Sequence, residues 1–467
     1  MSKQKGENAV VIGASMAGLL TARVLTDHFD QVTMIERDLF PSRGANRKGV
    51  PQGKHTHVLL ERGRRIMESH LPGLTDELME MGAANIEDVS RDVRWFQGGA
   101  YYKPGVSGIS GVGVSRPTLE GSVRDRVLAL PNIQAFENCN VLGLLTTDDK
   151  SRVTGIRFKD RSADNTEKTI TADLVVDAGG RGSHSPVWLE ELGYERPLEE
   201  EVKVGVGYTT CYYRRKPDHL SGLKGISFLT TPPNKRLGVM LAQDGNRWVV
   251  TLGGYLGDHT STKYPEFLES ARRLPSPEIY NVIKNAEPLG EPVAYKFPAN
   301  LRHHYERLSR FPEGYLVIGD ALCSFNPIYG QGMTVAALES VALNECLKNG
   351  KNQLAKHFFA RASKIIDDSW NTAVGNDLAY PKVEGQRTIM MRFLNWYMGR
   401  LQVAAHMDAN VFIAFLKVIN MVAPAPTLMK PNIVWRVLKA NLGPGSREAN
   451  TNEEQNLWQS EKATMDQ

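Results

Sequence analysis

The sequence predicts an α/β fold, and two observations lead to this prediction. Short strand-like apolar runs alternate with longer helical ones along most of the 467 residues. The chain also opens with a complete βαβ unit, in which a strand (9–12), a glycine turn, a helix (16–29) and a second strand (31–35) follow one another. Ligands of α/β proteins bind where such strands end, so a binding site is expected at this turn.

The amino-acid composition limits the classes of protein to which the chain can belong. Hydrophobic residues make up 41% of the chain, which is enough for a large core and more than one structural lobe. Lys and Arg total 56 against 52 Asp and Glu, so the formal charge of +4 favours no nucleic-acid partner. The cysteines form no CxxC pair, and the first residues form no signal peptide. Both features are typical of a cytoplasmic protein.

The pattern of apolar residues divides the chain into five segments. An α/β part (1–200) is interrupted by a separate, mainly β domain (201–300) and resumes over 301–350, after which a helical region (351–442) leads into a polar tail (443–467). Within the β domain, Asp244-Gly245 is the expected turn of a hairpin.

The C-terminal region is predicted to be helical over 354–366 and 388–422. Its most apolar run, 411–423, is interrupted by Lys417 and Asn420 and is shorter than the about 20 apolar residues that span a bilayer. We therefore expect no transmembrane segment. A buried helix is the favoured interpretation of this run, and monotopic contact with a membrane surface stays open.

The turn after the first strand carries a dinucleotide-binding pattern. It runs GASMAG from residue 13 to residue 18, with serine in place of the second glycine. Gly13 permits the tight turn, Gly18 lets helix and strand pack closely, and the helix that opens at Ser15 and Met16 offers N–H groups to a pyrophosphate. By itself the pattern also fits a tight structural turn.

The end of the second strand favours the nucleotide. Glu36 lies 18 residues after Gly18, where its carboxylate is suited to accept hydrogen bonds from ribose hydroxyls, and Arg37 follows it. The same acid disfavours a 2′-phosphate, so NADP is not expected here. FAD and NAD both remain eligible at this point.

Two later strand ends are candidate parts of the same site. One apolar strand ends at Asp177, which glycines follow. Another, 315–318, leads into Gly319-Asp320 and, after Pro327, into the segment GQGM (330–333) that opens a long helix. The positive end of that helix is suited to stabilise negative charge, and Asp320 is suited to bind a ribityl or ribose hydroxyl.

The three motifs together resemble those of the FAD-dependent hydroxylases related to para-hydroxybenzoate hydroxylase. The fingerprint, the central DG motif and the late GD motif occur in that family's order over residues 8–350. The resemblance implies a Rossmann-like FAD-binding domain, an inserted mainly β substrate domain and a C-terminal helical region. It also implies a monooxygenase that passes one oxygen atom from O2, through a flavin C4a-hydroperoxide, to a small, largely apolar organic substrate. Electrons would come from NADPH or NADH, directly or through a flavin reductase.

Residues 47–60 give a finer resemblance. The segment RKGVPQGKHTHVLL is similar to one in bacterial polyether epoxidases and related tailoring monooxygenases of secondary metabolism. It implies epoxidation of an alkene, with hydroxylation as the other outcome. In this family an arginine placed like Arg116, in the segment SRPTLE, reaches the ribityl or phosphate region of the flavin.

The candidate site residues follow from these motifs and resemblances. No catalytic side chain is assigned, because the flavin carries the chemistry, and no metal is expected, because His55 and His57 lack a third ligand. Three aromatic residues are candidates for the substrate pocket, with core packing as their alternative role: Tyr208, Tyr212 and Trp248. The candidate cofactor-binding residues are Gly13, Ser15, Met16, Gly18, Glu36, Arg37, Arg47, Lys48, Arg116, Val141, Asp177, Asp320, Pro327, Gly330, Gly332 and Met333.

Other flavoprotein functions stay open. An FAD-dependent reductase of prenyl double bonds shares this scaffold, and a non-catalytic flavoprotein would hold FAD without consuming NADH or NADPH. A halogenase is disfavoured, because the sequence contains no WxWxIP segment. A dehydrogenase that uses NAD would leave the DG and GD motifs unexplained.

Overall fold

A computed structural model describes residues 5–162 and 165–442, and the predicted polar tail (443–467) lies outside these residues. Its strands are β1 (Gly6–Ile12), β2 (Phe29–Ile35), β3 (Ala84–Ile86), β4 (Val93–Gln97), β5 (Ala100–Tyr101), β6 (Gly111–Gly113), β7 (Ile133–Phe136), β8 (Cys139–Thr146), β9 (Val153–Asp160), β10 (Thr166–Thr171), β11 (Leu174–Asp177), β12 (Leu198–Arg214), β13 (Gly225–Phe228), β14 (Arg236–Gln243), β15 (Arg247–Gly254), β16 (Val293–His304), β17 (Tyr315–Val317) and β18 (Cys323–Ser324). Its helices are α1 (Met16–Leu25), α2 (Glu61–His70), α3 (Leu74–Glu80), α4 (Val89–Asp92), α5 (Arg116–Leu128), α6 (Ser185–Glu191), α7 (Tyr264–Arg272), α8 (Glu278–Ile283), α9 (Gly332–Asn349), α10 (Leu354–Asp377), α11 (Ile389–Met407), α12 (Ala409–Ile419) and α13 (Pro431–Asn441).

The opening βαβ unit forms, with one boundary corrected. Strands β1 and β2 pair in parallel, and α1 connects them. This helix ends at Leu25 rather than at the predicted Phe29, because Phe29 begins β2 and is fully buried there. A β-strand residue cannot also continue the helix, so the apolar run that predicted a longer helix belongs to two elements.

A five-stranded parallel sheet brings the sequence motifs to one edge. Its order is β17-β11-β1-β2-β7, and the pairs β17/β11, β11/β1, β1/β2 and β2/β7 are all parallel. Four neighbouring strands carry the motifs at their carboxyl ends: the glycine turn at β1, Glu36 at β2, Asp177 at β11 and the GD segment at β17. Ligands of open α/β sheets bind at this edge.

The mainly β insertion forms an eight-stranded sheet in the order β18-β16-β12-β15-β14-β13-β4-β5. The hairpin predicted at Asp244-Gly245 joins β14 to β15, whose outermost pair is Gln243 and Arg247. The sheet also recruits β4, β5 and β18 from outside residues 201–300. These short strands carry too little pattern of their own to be assigned from sequence. They form by pairing, β4 with β13, β5 with β4 and β18 with β16.

One face of this sheet packs on a closed hydrophobic core, and the other face lines a cavity. Side chains alternate between the faces of a strand, so on β15 Trp248, Val250 and Leu252 enter a core that α7 and α8 cover. Thr251, between them, faces the opposite side and lines a large cavity. The sheet therefore separates a closed core from the candidate site.

The C-terminal region contains two helices where one was predicted over 388–422. Helix α11 stops at Met407, because Asp408 is extended and its carboxylate accepts the N–H of Asn410 at 2.9 Å to cap α12. Helix α12 buries Val411 and Leu416 completely, as expected of a buried helix. Helix α10 continues to Asp377, beyond the predicted end at residue 366.

Across the described residues, every helix is too short or too polar to cross a bilayer. The predicted architecture, a parallel-sheet nucleotide-binding domain with a β-rich insertion and C-terminal helices, is confirmed.

Candidate functional site

A cavity of about 1800 Å³ runs along the carboxyl edge of the parallel sheet and continues between the eight-stranded sheet and the C-terminal helices. Pockets for one drug-sized ligand measure roughly 300–1,000 Å³. The cavity therefore has room for a dinucleotide and a second molecule beside it.

Most of the candidate cofactor residues lie together on this cavity. Those that line it are Gly13, Ser15, Met16, Glu36, Arg37, Arg47, Arg116, Val141, Asp177, Asp320, Pro327, Gly330, Gly332 and Met333. Gly18 lies behind the wall, where a side-chain carbon would come within 1.9 Å of the carbonyl oxygen of Gly13, so its role is close packing of α1. Lys48 is exposed outside the cavity, whereas its neighbour Arg47 is buried.

The glycine turn keeps the N-terminus of α1 open. Gly13 has φ +95°, which favours glycine, whereas Ser15 has φ −90°, so serine at this position causes no backbone strain. The Ser15 hydroxyl donates to Oε2 of Glu120 at 2.9 Å, and its oxygen accepts from Nη2 of Arg116 at 3.0 Å rather than from the N–H groups of its own helix. Because no side chain among the described residues caps α1, its first N–H groups remain available to an anion.

A buried chain of charges joins the predicted residues. Oε2 of Glu36 accepts the N–H of Ala14 at 2.7 Å and lies 2.8 Å from Nη1 of Arg47. Nη2 of Arg47 lies 3.0 Å from Oε1 of Glu120, whose Oε2 lies 2.7 Å from Nη2 of Arg116. The two acids and two arginines are each less than one-tenth exposed. The turn, the acid after β2 and the start of α5 are thus tied into one rigid wall.

Sequence reasoning missed Glu120. Burial by itself raises the pKa of Glu120, but Arg116 and Arg47 lower the pKa more, so the group is held as a carboxylate. A sequence signal existed, since Glu120 is four residues after Arg116 on a helix and side chains at that spacing meet. Its contacts to Arg47 and Ser15 had no such signal.

Asp177 lines the cavity, but its carboxylate is committed to the turn that follows β11. It accepts the N–H of Gly179 at 2.7 Å, the hydroxyl of Ser183 at 2.6 Å and the hydroxyl of Ser185. The structure therefore gives Asp177 a positioning role. It shapes the segment 179–183, which lines the cavity.

Asp320 and the start of α9 form the opposite wall. Asp320 lies deep in the molecule with its carboxylate exposed to the cavity; burial raises the pKa of Asp320, and Arg116 and Arg181 oppose that rise. Gly332 begins α9 next to Asp320, and within residues 5–162 and 165–442 no side chain caps this helix. Oε1 of Gln331, also on this wall, is buried without a hydrogen-bond partner among the described residues. A buried polar atom that has no hydrogen-bond partner in the protein indicates a position where a polar group of a ligand can bind.

His55 and His57 act as neutral side chains. Burial lowers the pKa of His57 to about 3, and Arg116 adds to this effect. Burial lowers the pKa of His55 to about 4, with Lys54 contributing. His57 lines the cavity, whereas Nδ1 of His55 lies 2.9 Å from the hydroxyl of Thr210 behind it. The described part of the chain contains no group of three residues able to ligate a metal ion.

Beyond Asp320 the cavity becomes an apolar chamber. Strand β14 contributes alternate side chains, Leu237, Val239 and Leu241. The C-terminal helices and their connections close the other side with Met391, Leu394, Phe415, Ile419 and Leu428. Such a lining favours an apolar molecule and keeps water away from it.

The three aromatic residues proposed for the substrate pocket lie in different places in the structure. Tyr208 lines the cavity. Tyr212 is on the same face of β12 but four residues further along, where its hydroxyl donates to the carbonyl of Lys54 at 3.2 Å, and it lies outside the cavity. Trp248 is fully buried on the other face of the sheet, so its alternative role, core packing, is the one the structure shows.

The polar groups that line the cavity fit FAD. An open helix N-terminus suits the pyrophosphate, Glu36 suits the adenosine ribose, and Asp320 with the unpartnered Gln331 oxygen suits the polar groups of the ribityl chain or ring. Glu36, Asp320 and Gln331 all line this one cavity.

Comparison with known proteins agrees with this geometry. Residues 7–356, about three-quarters of the chain, match the family described as FAD binding domain. The chain is also 36% identical over 395 residues to Protein Rv3254 of Mycobacterium tuberculosis (strain ATCC 25618 / H37Rv), an alignment that covers 80% of this chain and 81% of that protein.

Solved structures share the fold at low sequence identity. The p-nitrophenol 4-monooxygenase PnpA of Pseudomonas putida DLL-E4 is 15% identical with a TM-score of 0.61, over 91% of this chain and 100% of that one. PqsL, a probable FAD-dependent monooxygenase of Pseudomonas aeruginosa, is 14% identical with a TM-score of 0.60, over 80% and 97%. A triple mutant of the flavin-dependent brominase Bmp2 is 14% identical with a TM-score of 0.64, over 92% and 99%. The chain therefore belongs to the FAD binding domain family, and it shares its fold with flavin-dependent monooxygenases and halogenases.

Proposed function

We propose that this protein is an FAD-dependent monooxygenase that oxidises a small, largely apolar organic molecule. One oxygen atom of O2 enters the substrate and the other leaves as water, with two electrons from NADPH or NADH, supplied directly or through a flavin reductase. The observation that carries the proposal is the continuity of the cavity, which joins the Glu36 and Asp320 walls to an apolar chamber.

The protein's own groups have distinct tasks in this scheme. Bound FAD supplies the redox chemistry and the activation of oxygen. The N–H groups at the start of α9, which carry the positive end of the helix dipole, stabilise negative charge that develops near Gly332. The apolar chamber orients the substrate and excludes water, which limits wasteful release of hydrogen peroxide.

Epoxidation of an alkene is the favoured reaction, with hydroxylation as the other outcome. Support comes from residues 47–60, which resemble a segment of polyether epoxidases and contribute Arg47, His57 and Leu59 to the cavity. The likeness to the brominase concerns the fold alone at 14% identity. The sequence also lacks the WxWxIP segment of halogenases.

The first experiment is an absorption spectrum of the purified protein, followed by anaerobic reduction with NADPH or NADH and rapid mixing with oxygenated buffer. A monooxygenase is yellow, and a transient absorbing species that differs from both reduced and oxidised flavin appears after oxygen is added. Reoxidation without such a species supports a reductase of prenyl double bonds or a non-catalytic flavoprotein instead. A colourless protein that binds no added FAD contradicts the proposal altogether.

A further inference from the structure

The C-terminal helices have an inner apolar face that explains their packing. Helices α11 and α13 lie against each other and against α12. They bury Tyr397 and Leu401 from α11, and Ile433 and Val437 from α13, in a common core. One apolar stripe per helix is sufficient for this packing.

Helices α11 and α13 each also carry a stripe of exposed apolar side chains, and we call these two stripes together the outer face. Its members follow helical spacing: Ile389, Phe393 and Trp396 on α11, and Trp435, Leu438 and Leu442, which lies at the end of α13. All six are exposed, Ile389 by 86% and Trp435 by 59%. Large apolar side chains clustered in this way mark an interaction surface rather than an ordinary surface.

The outer face lies in a basic part of the chain. Residues 385–442 contain seven Lys or Arg and a single acid, Asp408, although the whole chain carries only +4. That acid is paired with Arg436 at 2.7 Å. Arg392, Lys430 and Lys439 are exposed beside the apolar stripes, and Nζ of Lys439 lies 5.1 Å from the ring centre of Trp435. Aromatic and aliphatic side chains bordered by lysine and arginine are typical of a surface that binds anionic lipid.

The outer face adjoins the cavity. Met390, Leu394 and Trp396 line the cavity from α11, the helix that also carries Ile389 and Phe393. The rings of Phe393 and Trp396 lie 5.9 Å apart, so the exposed stripe passes directly into the cavity lining. A molecule dissolved in a bilayer against this face would meet the apolar chamber without crossing water.

We propose that the outer face of α11 and α13 binds an anionic membrane surface, and that the substrate is a lipophilic molecule taken from that membrane. The second part rests on the proposed function, whereas the first part stands on the exposed stripes and the basic charge alone. A second copy of the chain is the less favoured occupant. A two-fold interface between two outer faces would bring basic residues against each other.

The test is flotation of the FAD-loaded full chain with vesicles of equal parts phosphatidylcholine and phosphatidylglycerol, compared with pure phosphatidylcholine vesicles. The protein should float with the anionic vesicles, and high salt should weaken binding. The double variant Trp435→Asp/Leu438→Asp should lower partitioning at least about tenfold, and Lys430→Glu/Lys439→Glu should lower it by a similar factor.

Leu198→Asp is the matched control, because Leu198 is as exposed as Trp435 (59% each) and lies at the start of β12. It should leave partitioning unchanged, and all variants should keep the flavin spectrum. Absence of flotation, or flotation unchanged in both double variants, overturns the proposal. So does a dimer that Trp435→Asp/Leu438→Asp converts to a monomer of 51.9 kDa, since the outer face would then be a self-interface. Flotation needs no turnover, so its failure is distinguishable from failure of the monooxygenase assignment.

Discussion

The hydroxyl of Tyr329 donates a hydrogen bond of 2.8 Å to Oδ1 of Asp377. Tyr329 lines the cavity immediately before Gly330, whereas Asp377 is fully buried at the end of α10. The same carboxylate accepts hydrogen bonds from Tyr255, Asn326 and Asn300 at 2.7 to 3.0 Å. A residue beyond the segment that matches the FAD binding domain family, 7–356, therefore holds the loop that leads into α9.

Asp377→Ala should weaken FAD binding and destabilise the protein. The substitution removes an acceptor that four donors share, of which Tyr255, Asn326 and Asn300 are buried. Each buried polar group that is left unpaired costs about 1–3 kcal/mol. Denaturant unfolding and fluorescence titration with FAD measure the two effects. Glu384→Ala, which removes an exposed acid in the following connection, is the control and should change neither. Wild-type behaviour of Asp377→Ala would show that the loop does not depend on this carboxylate.

Arg47→Ala should be far more damaging than Lys48→Ala. Arg47 lies between Glu36 and Glu120, and removing one partner of a buried ion pair costs about 3–5 kcal/mol because a buried charge is left uncompensated. Lys48 is exposed, so its substitution should change the free energy of unfolding by less than about 0.5 kcal/mol. The FAD dissociation constant and the unfolding midpoint of both variants check the prediction. Equal effects would mean that the charged wall does not organise the site.

The stability of the protein should fall as the pH rises towards 8, in part because of Glu339. This residue is fully buried on α9 and accepts the N–H of Gly319 at 2.7 Å. Burial raises the pKa of Glu339 from 4.5 to about 8. Between these values the folded state keeps a proton that the unfolded state has lost, so the contribution is full below pH 4.5 and is lost as the pH rises through about 8. The loss is at most about 1.4 kcal/mol per pH unit.

Glu339→Gln separates this effect from other titrations, because the amide oxygen can still accept the Gly319 N–H but cannot ionise. We expect the variant to gain stability relative to wild type as the pH rises, measured by denaturant midpoints across this range. Glu345→Gln, at an exposed position on the same helix, should run parallel to wild type. A constant difference between wild type and Glu339→Gln at all pH values would disprove the assignment.

Gly332→Asp should abolish substrate oxidation, whereas Gly332→Ala should be tolerated. The nearest atom to an added Cβ is Oδ1 of Asp320 at 3.9 Å, so a methyl group fits. An aspartate places a second acidic side chain beside Asp320, where the start of α9 is needed to stabilise developing charge, and a loss of at least about 100-fold is expected. Turnover per bound flavin, with FAD affinity measured separately, gives the comparison. Normal turnover in Gly332→Asp would exclude the flavin ring from this position.

The nucleotide-binding core could be predicted from the amino-acid sequence alone. The strand, glycine turn, helix and acid between residues 6 and 36 are specified by neighbours along the chain: Gly13 by its positive φ, Gly18 by the approach of α1, and Glu36 by the length of one βαβ unit. Asp320 and Gly332 were found in the same way, because each follows a strand or begins a helix. Such features depend on local sterics and periodicity, which a short stretch of sequence contains.

Contacts between side chains that are far apart in the chain could not be predicted without the folded structure. Glu36 and Glu120 are far apart in the chain, so no local pattern shows that Arg47 contacts both. Placing Tyr208 at the cavity and Trp248 in the core required the faces of β12 and β15. The sequence pattern also did not predict that the C-terminal helix breaks at Asp408, or that the outer face of α11 and α13 is exposed. The apolar periodicity of a helix does not show which of its stripes a neighbouring element covers. These outcomes depend on strand order and helix packing, which pair residues far apart in the chain, and no local pattern records such pairings.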